Sequence, residues 1–288
     1  MREKLFYYIT KATSVFFIFL FSLIIFHIVT ESMYALTSLN TSLLSLSKSW
    51  KPMASNPEYS IMPMLLTTLE ISFLAVVFAL PLCISIAVSL AFYIKEIVAV
   101  YVLTFIDLLA GVPSVIFGFI GLTVLVKKFE LFFSMPTGEC LLLGAIVLAV
   151  MLFPFCTSTI YESLIKLKKE YYNCALSLGY SKEFIISKIL LKALKPSILT
   201  AFIMALGRAM GETMAVMMVI GNAPQYPQLF KRVLTIPALT ALELGNAEYA
   251  SLHFSALYAA NLVLLILLAF LMILVKIIQV KVVKNNEN

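Results

Sequence analysis

The stretch ALGRAMGETMAVMMVIGN, Ala205 to Asn222, sets an arginine and a glutamate four residues apart in a run that is otherwise uncharged from Pro196 to Gly221. Such a run is long enough to cross a bilayer as a helix. The same signature recurs along the chain. Apolar runs cover about 12–30, 65–94, 97–126, 140–161, 196–221 and 254–275. The 288 residues are 62% hydrophobic and 12% charged, with mean hydropathy +1.02. Soluble domains carry about twice that charged fraction. The runs do not alternate polar and apolar residues, so they do not read as barrel strands. The sequence predicts an all-α, polytopic membrane protein with six transmembrane helices in one transmembrane domain, 1–288.

Basic residues predict the orientation. With the N-terminus inside, the inner segments hold Arg2, Lys4, Lys11, Lys95, seven lysines from Lys166 to Lys195, and Lys276, Lys281 and Lys284. The outer segments hold only Lys48, Lys51, Lys127, Lys128, Lys231 and Arg232. Both termini are therefore expected in the cytoplasm. The bias also accounts for the net charge of +6, with no nucleic-acid partner. The first run is longer than a cleaved leader's core and has no small-x-small site after it, so it reads as a retained helix. Cys83, Cys140, Cys156 and Cys174 are scattered, which predicts ordinary packing, no external disulfide and no metal site.

Between the spans, the outer segment 31–64 holds Trp50 among three prolines and reads as an irregular loop with an interfacial aromatic anchor. The outer segment 222–251 carries IPALTALEL, which suits either a dip back towards the membrane or contact with an external protein. The inner segment 162–195 is rich in lysine and carries apolar residues at helical spacing, broken at Gly179. It predicts a short helix, a turn and a second helix. Two readings fit it: an amphipathic surface helix with snorkelling lysines, or a dock for a cytoplasmic partner.

Four ionisable groups fall within spans: Glu70, Asp107, Arg208 and Glu212. A charge at mid-bilayer costs about 3 kcal/mol or more, so each is a functional candidate. Glu70 and Asp107 also suit interfacial or capping positions. Arg208 and Glu212 lie too deep for snorkelling to rescue both, and share a helix face at a spacing of four. They read either as an ion pair sealing a helix contact or as a polar station for a charged solute, which Thr213 adjoins. Gly207 and Gly211 form GxxxG, which admits a close helix neighbour. Arginine's planar fork suits an oxyanion. Gly111, Pro113, Ser114 and Gly118 make a helix-breaking motif in the third span, and Pro81 and Pro154 interrupt the second and fourth. Broken helices line transporter cavities. His27 reads as a packed, neutral histidine. There is no nucleotide-binding loop and no catalytic constellation, so the chain is not read as an enzyme.

These residues together resemble the permease subunits of ATP-binding-cassette importers. The inner loop is similar to their coupling motif at Asn173, Cys174, Ala175, Leu178 and Gly179, although Asn173 stands where glutamate is usual. GRAMGETMAVMMVIGN and DLLAGVPSVIFG resemble the phosphate permeases of the PstC type more specifically. The resemblance covers about residues 50–275 and implies a type I importer permease (MetI-like) fold in a bacterial inner membrane. It implies a PstA-like second permease, two PstB-like cytoplasmic ATPases and a PstS-like external phosphate-binding protein. It further implies that ATP-Mg is used on the ATPase, with no cofactor on this chain. Arg208 would then meet phosphate, with Glu212 holding the arginine or limiting the affinity. The alternatives are a permease for sulfate or molybdate, a proton-coupled secondary transporter using Glu212, and a membrane sensor.

Overall fold

The structure is a computed structural model that describes residues 2–46 and 49–287. Lys48, counted above among the outer basic residues, lies outside the described residues. The helices are α1 (Arg2–Leu39), α2 (Met62–Phe92), α3 (Glu96–Ala110), α4 (Ser114–Phe133), α5 (Leu141–Ser177), α6 (Lys182–Ala193), α7 (Lys195–Met210), α8 (Met214–Met217), α9 (Ile236–Glu243) and α10 (Leu252–Glu287). A two-stranded hairpin pairs Trp50–Lys51 with Glu58–Tyr59. Four helices are long and apolar enough to cross a membrane; two bent pairs make six if each is one span. The chain divides into two compact units, 1–62 with 239–266, and 63–238 with 267–288.

In the first unit, α1 is apolar on all sides and largely exposed, as suits a helix in lipid. Its tie to α10 is polar: the Ser255 hydroxyl donates to the Glu31 carbonyl at 2.6 Å and accepts from the Ala35 N–H at 2.8 Å. His27 is not packed away. Its side chain is 53% exposed, 3.9 Å from Glu31 and edge-on to Tyr258.

In the second unit, α2 buries Met64, Thr68, Ile71, Ala75, Ala79, Cys83, Ala87 and Leu90, one stripe at helical spacing. Helices α3 and α7 both pack on α5. Pro81 and Pro154 do not interrupt their helices; both sit inside continuous helix. Pro113 does break its span, since α3 and α4 meet at 91°. Gly111 ends α3 with its N–H on the Leu108 carbonyl, and Pro113 has the extended backbone of an N-cap. Helix α4 also runs on to Phe133, so the outer link expected from Lys127 shortens to 134–140.

The run 196–221 is likewise not one helix. Helix α7 stops at Met210, and the chain passes through Gly211–Thr213 into the single turn of α8. Conversely, the first helix of the inner segment is no separate piece, because α5 continues from its span to Ser177.

Candidate functional site

The interrupted fifth span is held by two kinds of contact. Its break is polar: the Glu212 carboxylate accepts the Ala215 N–H at 3.2 Å, starting α8, and the Asn222 amide donates to the Met217 carbonyl at 2.9 Å, closing it. Gly221 and Asn222, with φ of 76° and 51°, then turn the chain away. The packing of α8 depends on missing side chains. A Cβ on Gly118 would stand 2.8 Å from the Ala215 Cα and 3.0 Å from its carbonyl oxygen. One on Gly121 would meet Val219 at 2.7 Å, and one on Gly144 would meet Ile220 at 2.6 Å. The third and fourth spans therefore carry glycines where residues 215–220 lie against them.

Arg208 lies in the last turn of α7 and is exposed in this chain. Its guanidinium carbon stands 6.0 Å from the centre of the Phe155 ring. Among the described residues no carboxylate lies within ion-pair distance of it, so the Arg208–Glu212 ion pair, one of the two readings of these charges, is not formed. The cause is local: the helix ends between the two residues, and Glu212 is engaged by the Ala215 N–H. Thr213 is half-buried beside it, and its carbonyl accepts the Met217 N–H. A Cβ on Gly207 would stand in ordinary contact with Met272 at 3.6 Å and Leu268 at 3.9 Å, so packing within this chain does not require a glycine there. Gly211 forms the C-cap of α7.

Asp107 joins this region. It accepts the Ser158 hydroxyl at 2.6 Å, and Ser158 lies one turn beyond Phe155 on α5. The bond links α3 to α5. Glu70 is half-buried on α2 with no hydrogen-bond or ion-pair partner among the described residues. No contact brings it to Arg208.

The inner segment folds as a helical hairpin. Gly179 has φ of 85°, the Tyr180 N–H bonds the Ala175 carbonyl at 3.3 Å and the Gly179 N–H bonds that of Leu176 at 3.0 Å. This is a Schellman cap, which explains why a glycine stands there. Ser181 then caps α6 by accepting the Phe184 N–H at 3.3 Å. Ile185, Ile186 and Leu190 are buried, with α6 folded back on the 168–172 turn. Two lysines tie this hairpin to the C-terminus of α2, where Lys168 bonds the Ala91 carbonyl and Lys182 bonds that of Phe92 at 2.6 Å. Asn173, Cys174 and Leu178 are exposed at the turn, while Ala175 is buried. Exposed Cys174 departs from the packing expected for all four cysteines.

One cluster escaped sequence reading. In the first unit Trp50 is 3% exposed, and its indole N–H donates to Glu243 at 2.9 Å; His253 meets the same carboxylate at 2.8 Å. Burial pushes the neighbouring Tyr59 phenol up from its usual pKa. Trp50 is thus a buried clasp rather than an interfacial anchor. The partners are 193 residues apart in sequence, a pairing without a linear signal.

The family described as binding-protein-dependent transport system inner membrane component matches residues 83–284. The chain belongs to that family. It is 35% identical to the probable ABC transporter permease protein YqgH of Bacillus subtilis, over 77% of this chain and 72% of that one. It is 33% identical to the probable phosphate transport system permease protein PstC of Methanocaldococcus jannaschii, over 67% of each chain. It is 29% identical to PstC of Mesorhizobium japonicum, over 93% of this chain and 86% of that one. A chain of the MetNI methionine ABC transporter, solved in inward-facing conformations, has the same fold. Its TM-score is 0.53 at 17% identity, covering 78% of this chain and 93% of that chain. The protein is thus an ABC importer permease subunit, a multi-pass transport component rather than an enzyme. Permeases of this family work with another permease and with ATPase subunits.

Proposed function

We propose that this permease forms, with a PstA-like second permease, the path for inorganic phosphate into the cytoplasm, and that Arg208 meets the anion there. The observation that carries the reading is an exposed guanidinium in an apolar span with no carboxylate partner among the described residues. Lipid does not tolerate such a charge, whereas a water-filled path between two permeases does. Relatives named as phosphate permeases supply the substrate class. Guanidinium binds tetrahedral oxyanions through paired N–H donors. Glu212 sits two residues past the helix end and tempers the site, since a path must release what it binds.

In the same reading both termini are cytoplasmic. The exposed turn at Asn173, Cys174 and Leu178, shaped by Gly179 and Ala175, docks on PstB-like ATPases, which bind ATP-Mg. A PstS-like protein delivers phosphate from outside. The test is to supply the four components to a host lacking phosphate uptake. Restored uptake of radiolabelled phosphate that excess sulfate and molybdate do not reduce is expected. Uptake of sulfate or molybdate in its place contradicts the reading.

A further inference from the structure

Arg208 is one of two charges that reach the same turn of α5. It lies over Phe155, and Asp107 takes the hydroxyl of Ser158 three residues further on. Asp107 is exposed in this chain, three residues before α3 ends at its break. Only its Oδ1 is committed. Oδ2 has no hydrogen-bond partner among the described residues. An exposed carboxylate within an apolar span is as costly in lipid as the arginine, so both charges point to the same polar surface.

We propose that Asp107 accepts a hydrogen bond from the hydroxyl of the passing anion through the carboxylate oxygen that Ser158 leaves free. This rests on the phosphate reading and deepens it. An ionised carboxylate can only accept. Phosphate near neutral pH keeps at least one P–OH, and arsenate likewise keeps an As–OH, so each can donate to Asp107 while its other oxygens accept from Arg208. Sulfate carries no proton, and its oxygens would meet the lone pairs of Asp107. The repulsion serves selectivity as much as the new bond does. The arrangement makes the permease itself a filter for protonated oxyanions.

Asp107→Asn separates this role from that of a tie between α3 and α5. The amide oxygen still accepts the Ser158 hydroxyl, so the tie survives, while the uncommitted acceptor becomes an N–H donor. Ser158→Ala does the reverse. The complete importer is placed in proteoliposomes, membrane levels are checked, and phosphate uptake is measured with arsenate or sulfate in the lumen. Lumenal anions reach the path from the cytoplasmic side without meeting the external binding protein. In the parent importer, arsenate is expected to inhibit at least tenfold more effectively than sulfate. Asp107→Asn is expected to lower uptake tenfold or more and to bring that ratio close to one. Ser158→Ala keeps the ratio and loses no more than about half the uptake, and Asp107→Glu keeps the ratio. An unchanged ratio in Asp107→Asn overturns the assignment, as does a Ser158→Ala variant equally damaging. Should Asp107→Asn fail to insert, loss of the ratio in Asp107→Glu overturns it. If the parent importer carries sulfate and not phosphate, it is the substrate reading that fails.

Discussion

The contact around Gly118 and the turn around Gly179 use the same residue type for opposite reasons. Gly118 has ordinary helical backbone but no room, because the Ala215 backbone lies within 3.0 Å of where a Cβ would be. Gly179 has open space on every side but a φ of 85° that an L side chain rarely adopts. The first position is sensitive to size and the second to chirality. The difference teaches where function is held by packing and where it is held by a turn.

Breaking the packed position gives the largest effect. Gly118→Leu drives a side chain into the Ala215 backbone, and overpacking of this kind costs about 1–3 kcal/mol even where neighbours can shift. Here the backbone itself must move, displacing α8. Phosphate uptake is expected to fall below detection while the permease stays at normal membrane level, checked by immunoblot and transport assay.

Glu212 gives a graded case on the same segment. Glu212→Leu removes the acceptor of the Ala215 N–H, whereas Glu212→Gln keeps one. Uptake is expected to drop about tenfold for leucine, as an unpaired buried donor costs about 1–3 kcal/mol. The glutamine variant is expected to lie between leucine and the parent.

At Gly179 the effects are small and follow backbone preference. Gly179→Ala is expected to cost about 1 kcal/mol, the penalty for a left-handed L residue, and Gly179→Asn less. ATP hydrolysis coupled to uptake should rank Gly, Asn, Ala. A bulky exposed residue at Leu178 would sharpen the contrast, since it disturbs docking without straining the turn.

Cys174 offers the mildest probe. It is exposed while Cys83, Cys140 and Cys156 are buried. A membrane-impermeant thiol reagent should label it from the cytoplasmic face of inverted vesicles stripped of ATPase, and much less once the ATPase is bound. Labelling in intact cells would reverse the proposed orientation.

The helical class and the six apolar runs were legible because transfer energy is a sum over a window and needs no partner. Gly179 was legible as a turn for a similar reason, since Schellman caps are local in sequence. The break at Pro113 was legible too, but Pro81 and Pro154 carry the same residue and do not break their helices. What differs is context: Pro113 follows a glycine-ended helix, while the other two lie within long packed stripes. Arg208 and Glu212 were found from cost alone, yet their separation by a helix end at Met210 was not. The 3.6-residue period assumes a continuous helix, and Gly211 violates it. The Asp107–Ser158 bond and the Trp50–Glu243–His253 cluster join distant segments, so only the folded chain displays them.

The central claim is that Arg208 serves the anion rather than the fold. The direct measurement compares Arg208→Gln and Arg208→Lys with the parent for radiolabelled phosphate uptake by the complete importer, with membrane level and subunit assembly measured alongside. Glutamine is expected to abolish uptake with assembly intact, and lysine to recover only part, because a point charge lacks the paired donors of the guanidinium. Normal phosphate uptake by an assembled Arg208→Gln importer would contradict the account.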